Sequence, residues 1–169
     1  FEIVKTALEN KKSVVSASKK MIAEHLEELY QLQEKNWVAL LYEGSCCASI
    51  PIIRNLEEYY DNDLLTSIEG IFNGSTNYIL TKMTEEGISF EQALAEAQEK
   101  GYAETDPTLD VDAHDPKYKL SIIALHTFGM FVGHRNILHY GIRNINRFDL
   151  KYARQNDYKI KLIARCEKK

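Results

Sequence analysis

The chain has 169 residues, near the size of one domain, and its 44% apolar and 27% charged content excludes a wholly disordered polypeptide. A net charge of −4, with Lys11-Lys12, Lys19-Lys20 and Lys168-Lys169 only as isolated pairs, argues against nucleic-acid binding. No run approaches the roughly 18 apolar residues of a bilayer span, so no membrane partner is expected.

Residues 1–11 place Phe1, Val4, Ala7 and Leu8 on one helical face. The opening has no starting Met and no signal-peptide pattern, and it begins inside that helix, as a piece of a longer chain would. Ser13 to Ala17 is β-prone, and residues 20–35 return to helix with Ile22, Leu26, Leu29 and Tyr30 in phase. Trp37 to Tyr42 is a continuous apolar run of strand length, which predicts a strand buried on both faces. Pro51 suits the first turn of a helix over 51–60, and 64–72 is β-prone again. A helix over 74–86 stops at Gly87. Ser89 and Gln92 form a capping box for the next helix, which Gly101 closes. Asp115 and Pro116 read as N-cap and first position of a helix running to Gly129. The tail reads as two strands; in the second, Tyr158 to Cys166 alternate apolar with charged. Alternating helices and strands predict an α/β fold, bordering on α+β. Its mixed sheet would carry helices mainly on one face and leave the other for dimerisation.

The acidic stretch Gly101 to Asp115 carries five carboxylates, Glu104, Asp106, Asp110, Asp112 and Asp115, with Lys117 and Lys119 close behind. Asp115 and Lys119 are four apart, near one helical face. Such a cluster can hold a ligand's ammonium group while the lysine moves a proton. On spacing alone, a solvated acidic loop with a capped helix and an i,i+4 pair is the more ordinary reading. A calcium loop is disfavoured, because the Asp-x-Asp-x-Asp-Gly order is missing.

Three further stretches share the pattern of small or polar residues at a turn before a helix. Tyr42 to Pro51 admits close backbone approach to a ligand, or is simply a tight turn. Glu69 to Tyr78 has two glycines before a helix, so its amides can meet an anion or merely be capped. Ser16-Ala17-Ser18-Lys19-Lys20 puts a lysine where a strand meets a helix, a position that is usually surface. Cys46, Cys47 and Cys166 form neither a disulfide framework nor a zinc spacing, which fits reduced, inert thiols in a cytoplasmic protein.

In order and spacing, these four stretches resemble homoserine dehydrogenase. The carriers are Val14-Val15-Ser16-Ala17-Ser18-Lys19, Tyr42-Glu43-Gly44-Ser45 through Ile50-Pro51, Gly70 through Leu80, and Gly101 through Lys119. The resemblance covers about residues 10–130 and implies NAD(P)-linked interconversion of L-homoserine and L-aspartate 4-semialdehyde, a step toward threonine, methionine and isoleucine. It implies that Lys119 transfers the proton and that Lys19 lies near substrate and nicotinamide, with Glu104 also on the cofactor side. It implies that Glu104, Asp110 and Asp115 bind substrate. Backbone oxygens of Glu43, Cys46, Ala48 and Ile50 would hold a monovalent cation such as sodium, and the enzyme would be a homodimer.

Three departures stand out. Ser18 replaces the family's Asn, Cys46-Cys47-Ala48-Ser49 replaces a glycine-rich turn, and Ala113 stands where the family has Gly. No Gly-x-Gly-x-x-Gly phosphate cradle occurs. Residues 1–169 therefore resemble the catalytic and dimerisation half, without the N-terminal dinucleotide-binding half and weak in cofactor affinity. The other class consistent with these departures is a non-catalytic oligomerisation or amino-acid-sensing module on the same scaffold.

Overall fold

The computed structural model describes residues 1–60 and 64–168, so Lys169 of the last lysine pair lies outside them. The chain divides into two compact units. The first comprises Phe1–Ile68, Lys117–Ile137 and Arg165–Lys169; the second comprises Glu69–Pro116 and Leu138–Ala164.

The first unit opens with α1 (Glu2–Glu9), whose Leu8 is fully buried. β1 (Val14–Val15) then pairs in parallel with β2 (Leu40–Leu41), Val14 opposite Leu40 and Val15 opposite Leu41. Parallel neighbours need a crossover, and here it is helical. The helical pattern of 20–35 is realised as two helices, α2 (Lys19–Glu24) and α3 (Leu26–Asn36), broken at His25. His25 sits at φ −128°, ψ 20°, outside helical space, while the apolar stripe continues through it. The expected doubly buried strand over 37–42 is not found. Trp37 caps α3 in the left-handed conformation and is 95% exposed, and of the two strand residues only Leu40 is buried. The short α4 (Gly44–Cys47) and α5 (Ile52–Tyr59) follow.

The second unit is built on α6 (Gly74–Glu86) and α7 (Phe90–Glu99). Asn73 caps α6 by accepting from Thr76 N, and Gly87 ends it at φ 69°. Ser89 and Gln92 form the predicted capping box on α7. Ile79, Leu80 and Met83 of α6 are buried against Ala93 and Ala97 of α7, the two alanines allowing close helix approach. Val111, Ile142 and Leu150 complete this core. Truncating Leu80 to Ala would cost about 2–5 kcal/mol by the usual cavity relation.

α8 (Thr108–Val111) and α9 (His114–Phe128) are separated by Asp112 and Ala113, the latter held at φ 64°. α9 begins just before the predicted Asp115 cap and ends at Gly129, φ 65°. Residues 120–125 are all buried, so this helix has no solvent face through its middle.

The tail departs from the two expected strands. Arg147–Gln155 is a helix, α10, opened by a reciprocal cap between Asn146 and Asp149. Only β4 (Ala164–Glu167) is strand, and it pairs with β3 (Ser67–Gly70) in a second two-stranded sheet. The α/β class stands, with helix dominant. Among the described residues no helix is long and apolar enough to cross a membrane.

Candidate active site

In the second unit the acidic stretch is organised by a residue that carries no charge. Asn73 is 5% exposed. Its Nδ2 donates to Asp110 Oδ1 at 2.7 Å and to Asp115 Oδ2 at 2.9 Å. Its Oδ1 accepts from Thr76 N and Thr76 Oγ1, both at 2.9 Å. Every hydrogen-bonding position of the amide is thus used, and two carboxylates are held side by side. Asp115 is 2% exposed, which a carboxylate tolerates only with such support. The amides of α6 are met by this cap, so the capped-start alternative for 69–78 is the one found.

Glu104 stands apart from that pair, exposed on its loop, with its carbonyl held by Gln98 Nε2 at 3.0 Å. Asp112 and Asp106 have structural roles. Asp112 accepts from Arg143 Nε at 2.6 Å, and Asp106 accepts from Thr108 N at 3.1 Å to open α8. Neighbouring hydrogen bonds and the positive Arg143 hold the Asp106 carboxyl below its usual range. The sequence alone singles out neither Asn73 nor Gln98 as a site residue. The available signal was the Asn-Gly start of α6, which reads as a cap and says nothing of what else the amide holds.

In the first unit three of the predicted stretches converge. The Cβ of Ala17 lies 3.6 Å from where a Gly44 side chain would begin, so the Ser16–Lys19 turn packs on the Tyr42–Pro51 turn. Lys19 is half-buried at the head of α2. Lys119, half-buried on α9, acts on the same turn electrostatically: its charge opposes the effect of burial on the thiols of both Cys46 and Cys47. Burial still dominates, pushing the Cys46 thiol up to about 11 and raising that of Cys47, which disfavours the reactive thiolate form.

The turn itself is tightly specified. The Glu43 carboxylate accepts from Ile53 N at 2.9 Å and Arg54 N at 3.0 Å, capping α5. Ala48 sits at φ 50°, ψ −109°, a conformation normally left to glycine. Its neighbours Cys46 and Cys47 pack inward while Ala48 and Ile50 are exposed. The candidate cation donors are main-chain oxygens, which the Cys46-Cys47-Ala48-Ser49 replacement does not remove. The positive φ at Ala48 is retained despite its methyl group. Among the described residues no cluster of three or more His, Cys, Asp or Glu side chains offers a metal site.

A family model described as homoserine dehydrogenase matches residues 51–168. The homoserine dehydrogenase of Lactococcus lactis is 45% identical over 153 residues, which is 90% of this chain and 36% of that protein. That of Neisseria gonorrhoeae is 39% identical over 163 residues, 96% of this chain and 38% of that protein. The chain therefore spans little more than a third of the length of these relatives. Among solved structures, homoserine dehydrogenase from Thiobacillus denitrificans superposes with a TM-score of 0.96 at 34% identity, covering 99% of this chain and 39% of its own. A hyperthermophilic archaeal homoserine dehydrogenase in complex with NADPH superposes at 0.81 and 32% identity, covering 99% of this chain and 49% of its own. On the matched family model, the sequence identities and the shared fold, the chain belongs to the homoserine dehydrogenase family.

Proposed function

We propose that the chain is the substrate-binding and proton-transfer part of an NAD(P)-dependent homoserine dehydrogenase, acting between L-homoserine and L-aspartate 4-semialdehyde. The observation that carries this is the Asn73-bridged carboxylate pair, because α9 bears both Asp115 and, one turn later, Lys119. Asp110 and Asp115, with Glu104, bind the substrate's ammonium group. Lys119 takes the proton of the substrate hydroxyl during oxidation and returns it during reduction. A bound nicotinamide supplies the hydride exchange. Lys19, half-buried at the head of α2, serves that group and the substrate in this reading, and Glu104 serves the cofactor. The main-chain oxygens of Glu43, Cys46, Ala48 and Ile50 hold a monovalent cation such as sodium.

The protein works as a cytoplasmic homodimer. Trp37, Leu138 and Phe148, each more than 80% exposed, are large apolar side chains that a second copy could cover. Sedimentation velocity at tens of micromolar tests the dimer, and a monodisperse monomer refutes it.

Titration calorimetry with L-homoserine, with Asp115→Asn as the control, tests the substrate site. Saturable binding that the variant loses supports the reading. Absence of binding at millimolar ligand refutes a substrate site contained in these 169 residues. In the complete enzyme Lys119→Ala should lower turnover by about 10²–10⁴-fold, the usual worth of a general acid–base group.

A further inference from the structure

Three side chains of the first unit form a hydrogen-bonded chain that none of these steps uses. Tyr42 Oη lies 2.9 Å from His126 Nε2, and His126 Nδ1 lies 2.7 Å from Glu57 Oε1. A carboxylate only accepts, so Nδ1 carries the proton; the neutral ring then accepts at Nε2, and the Tyr42 hydroxyl donates. Burial keeps both partners neutral at pH 7: it lowers His126 from the usual imidazole range and raises the Tyr42 phenol.

This chain closes a ring. Glu57 lies near the end of α5, and the start of α5 is held by Glu43, the residue after Tyr42. The Tyr42 carbonyl in turn accepts from Ser45 N at 2.9 Å, opening the small-residue turn. His126 follows Lys119 by seven residues, two turns along the same face of α9, about 10 Å apart. His126 meets Tyr42 directly, and the Lys119 charge is felt electrostatically at the Cys46-Cys47 pair.

We propose that Glu57, His126 and Tyr42 are positioning residues: their hydrogen-bonded chain clamps the Tyr42–Pro51 turn onto α9 and sets the register between that turn and Lys119. The catalytic consequence rests on the role given to Lys119, whereas the clamp itself does not. Simple space-filling at residue 126 needs only volume. A clamp needs one donor and one acceptor there, and glutamine supplies both.

The test reads the turn directly through Cys46, which is 3% exposed. Disulfide-exchange labelling of the 169-residue chain, with the three cysteines resolved by peptide mass spectrometry, gives its opening rate. His126→Leu should label Cys46 about tenfold faster, the effect of losing about one net hydrogen bond, while His126→Gln stays within about threefold of wild type. Tyr42→Phe, which removes only the hydroxyl, should resemble His126→Leu and decides the matter if the leucine variant does not fold. Wild-type labelling in Tyr42→Phe, or equal acceleration by glutamine and leucine, overturns the clamp. If labelling responds as expected but L-homoserine does not bind, the functional reading fails and the clamp stands.

Discussion

Asn73 reaches Asp115 at 2.9 Å with one amide hydrogen and Asp110 at 2.7 Å with the other, so a neutral side chain sets the spacing of two carboxylates. The orientation of the amide is determined, because Thr76 gives two hydrogen bonds to its oxygen. Replacing Asn73 by Asp would remove both donors and place a third carboxylate against the pair. Leaving a buried charge without its support costs about 3–5 kcal/mol, more than the loss of a helix cap alone. Asn73→Asp is therefore expected to lose several kcal/mol in urea unfolding at pH 7 and to recover part of it near pH 4. Asn73→Ser retains a cap but not the bridge, and should fall between. A loss of no more than about 1 kcal/mol in Asn73→Asp would mean that the bridge carries little weight.

Two alanines stand where the backbone favours glycine. Ala113 is at φ 64° and Ala48 at φ 50°, ψ −109°. A left-handed residue with a Cβ costs roughly 1–2 kcal/mol, while glycine costs about 0.4–1 kcal/mol through the freer unfolded chain. The first term wins, so Ala113→Gly should raise stability by about 0.5–1 kcal/mol. Ala48→Gly should gain at least as much, since its ψ is further from the left-handed helical well. Thermal unfolding of the two variants checks this, and a lower Tm in either would contradict the argument.

Gly141 has the opposite requirement. A Cβ there would lie 2.3 Å from the carbonyl oxygen of Val111 and 2.6 Å from the Cα of Asp112. Both are backbone atoms that cannot swing aside. The close approach is what lets Ile142 N donate to Val111 O at 2.7 Å and Ile142 enter the core of the second unit. Gly141→Ala should destabilise by about 1–3 kcal/mol, the ordinary cost of overpacking, and more if the hydrogen bond breaks. Denaturant unfolding measures it, and a neutral result would require that the 138–142 segment shift freely.

What the sequence disclosed follows from how local each signal is. The capping box at Ser89, the stop at Gly87 and the end of α9 at Gly129 are written within a few residues, and each is found. The strand expected over 37–42 shrinks to the two residues of β2, because an apolar run reports burial, not period, and Trp37 instead turns left-handed to close α3. The helix at 147–155 was hidden by an Asn-x-x-Asp cap and a stripe of only Leu150 and Ala153 buried, with Phe148 and Tyr152 exposed. At the candidate site the carboxylate cluster and the Asp115–Lys119 spacing were legible from charge, and Asp110 was singled out by the family resemblance. Asn73 and His126 were not, because their partners are 37 to 84 residues away in sequence.

His126 also gives the chain a predictable acid sensitivity. The groups facing it are Glu57 from α5, and Tyr42 and Glu43 from the end of β2, with Lys168 lining the same groove. Burial lowers its folded-state affinity for protons, and the nearby glutamates oppose this without overcoming it. The unfolded chain, with a histidine near its usual 6.5, then binds more protons than the folded one below that pH. The sign follows: this contribution is fully present above about pH 6.5 and is lost as pH falls through the lower folded value. The limiting slope for one proton is about 1.4 kcal/mol per pH unit, and most carboxylates titrate lower, so the window from about 6.5 to 5 isolates the effect. Urea unfolding across that window should show wild type losing stability faster than His126→Gln, which has no proton to take up. Parallel curves for the two proteins would show that His126 is not held neutral by the fold; the charged ring would then donate at Nε2 to the Tyr42 hydroxyl, while Nδ1 would still donate to Glu57.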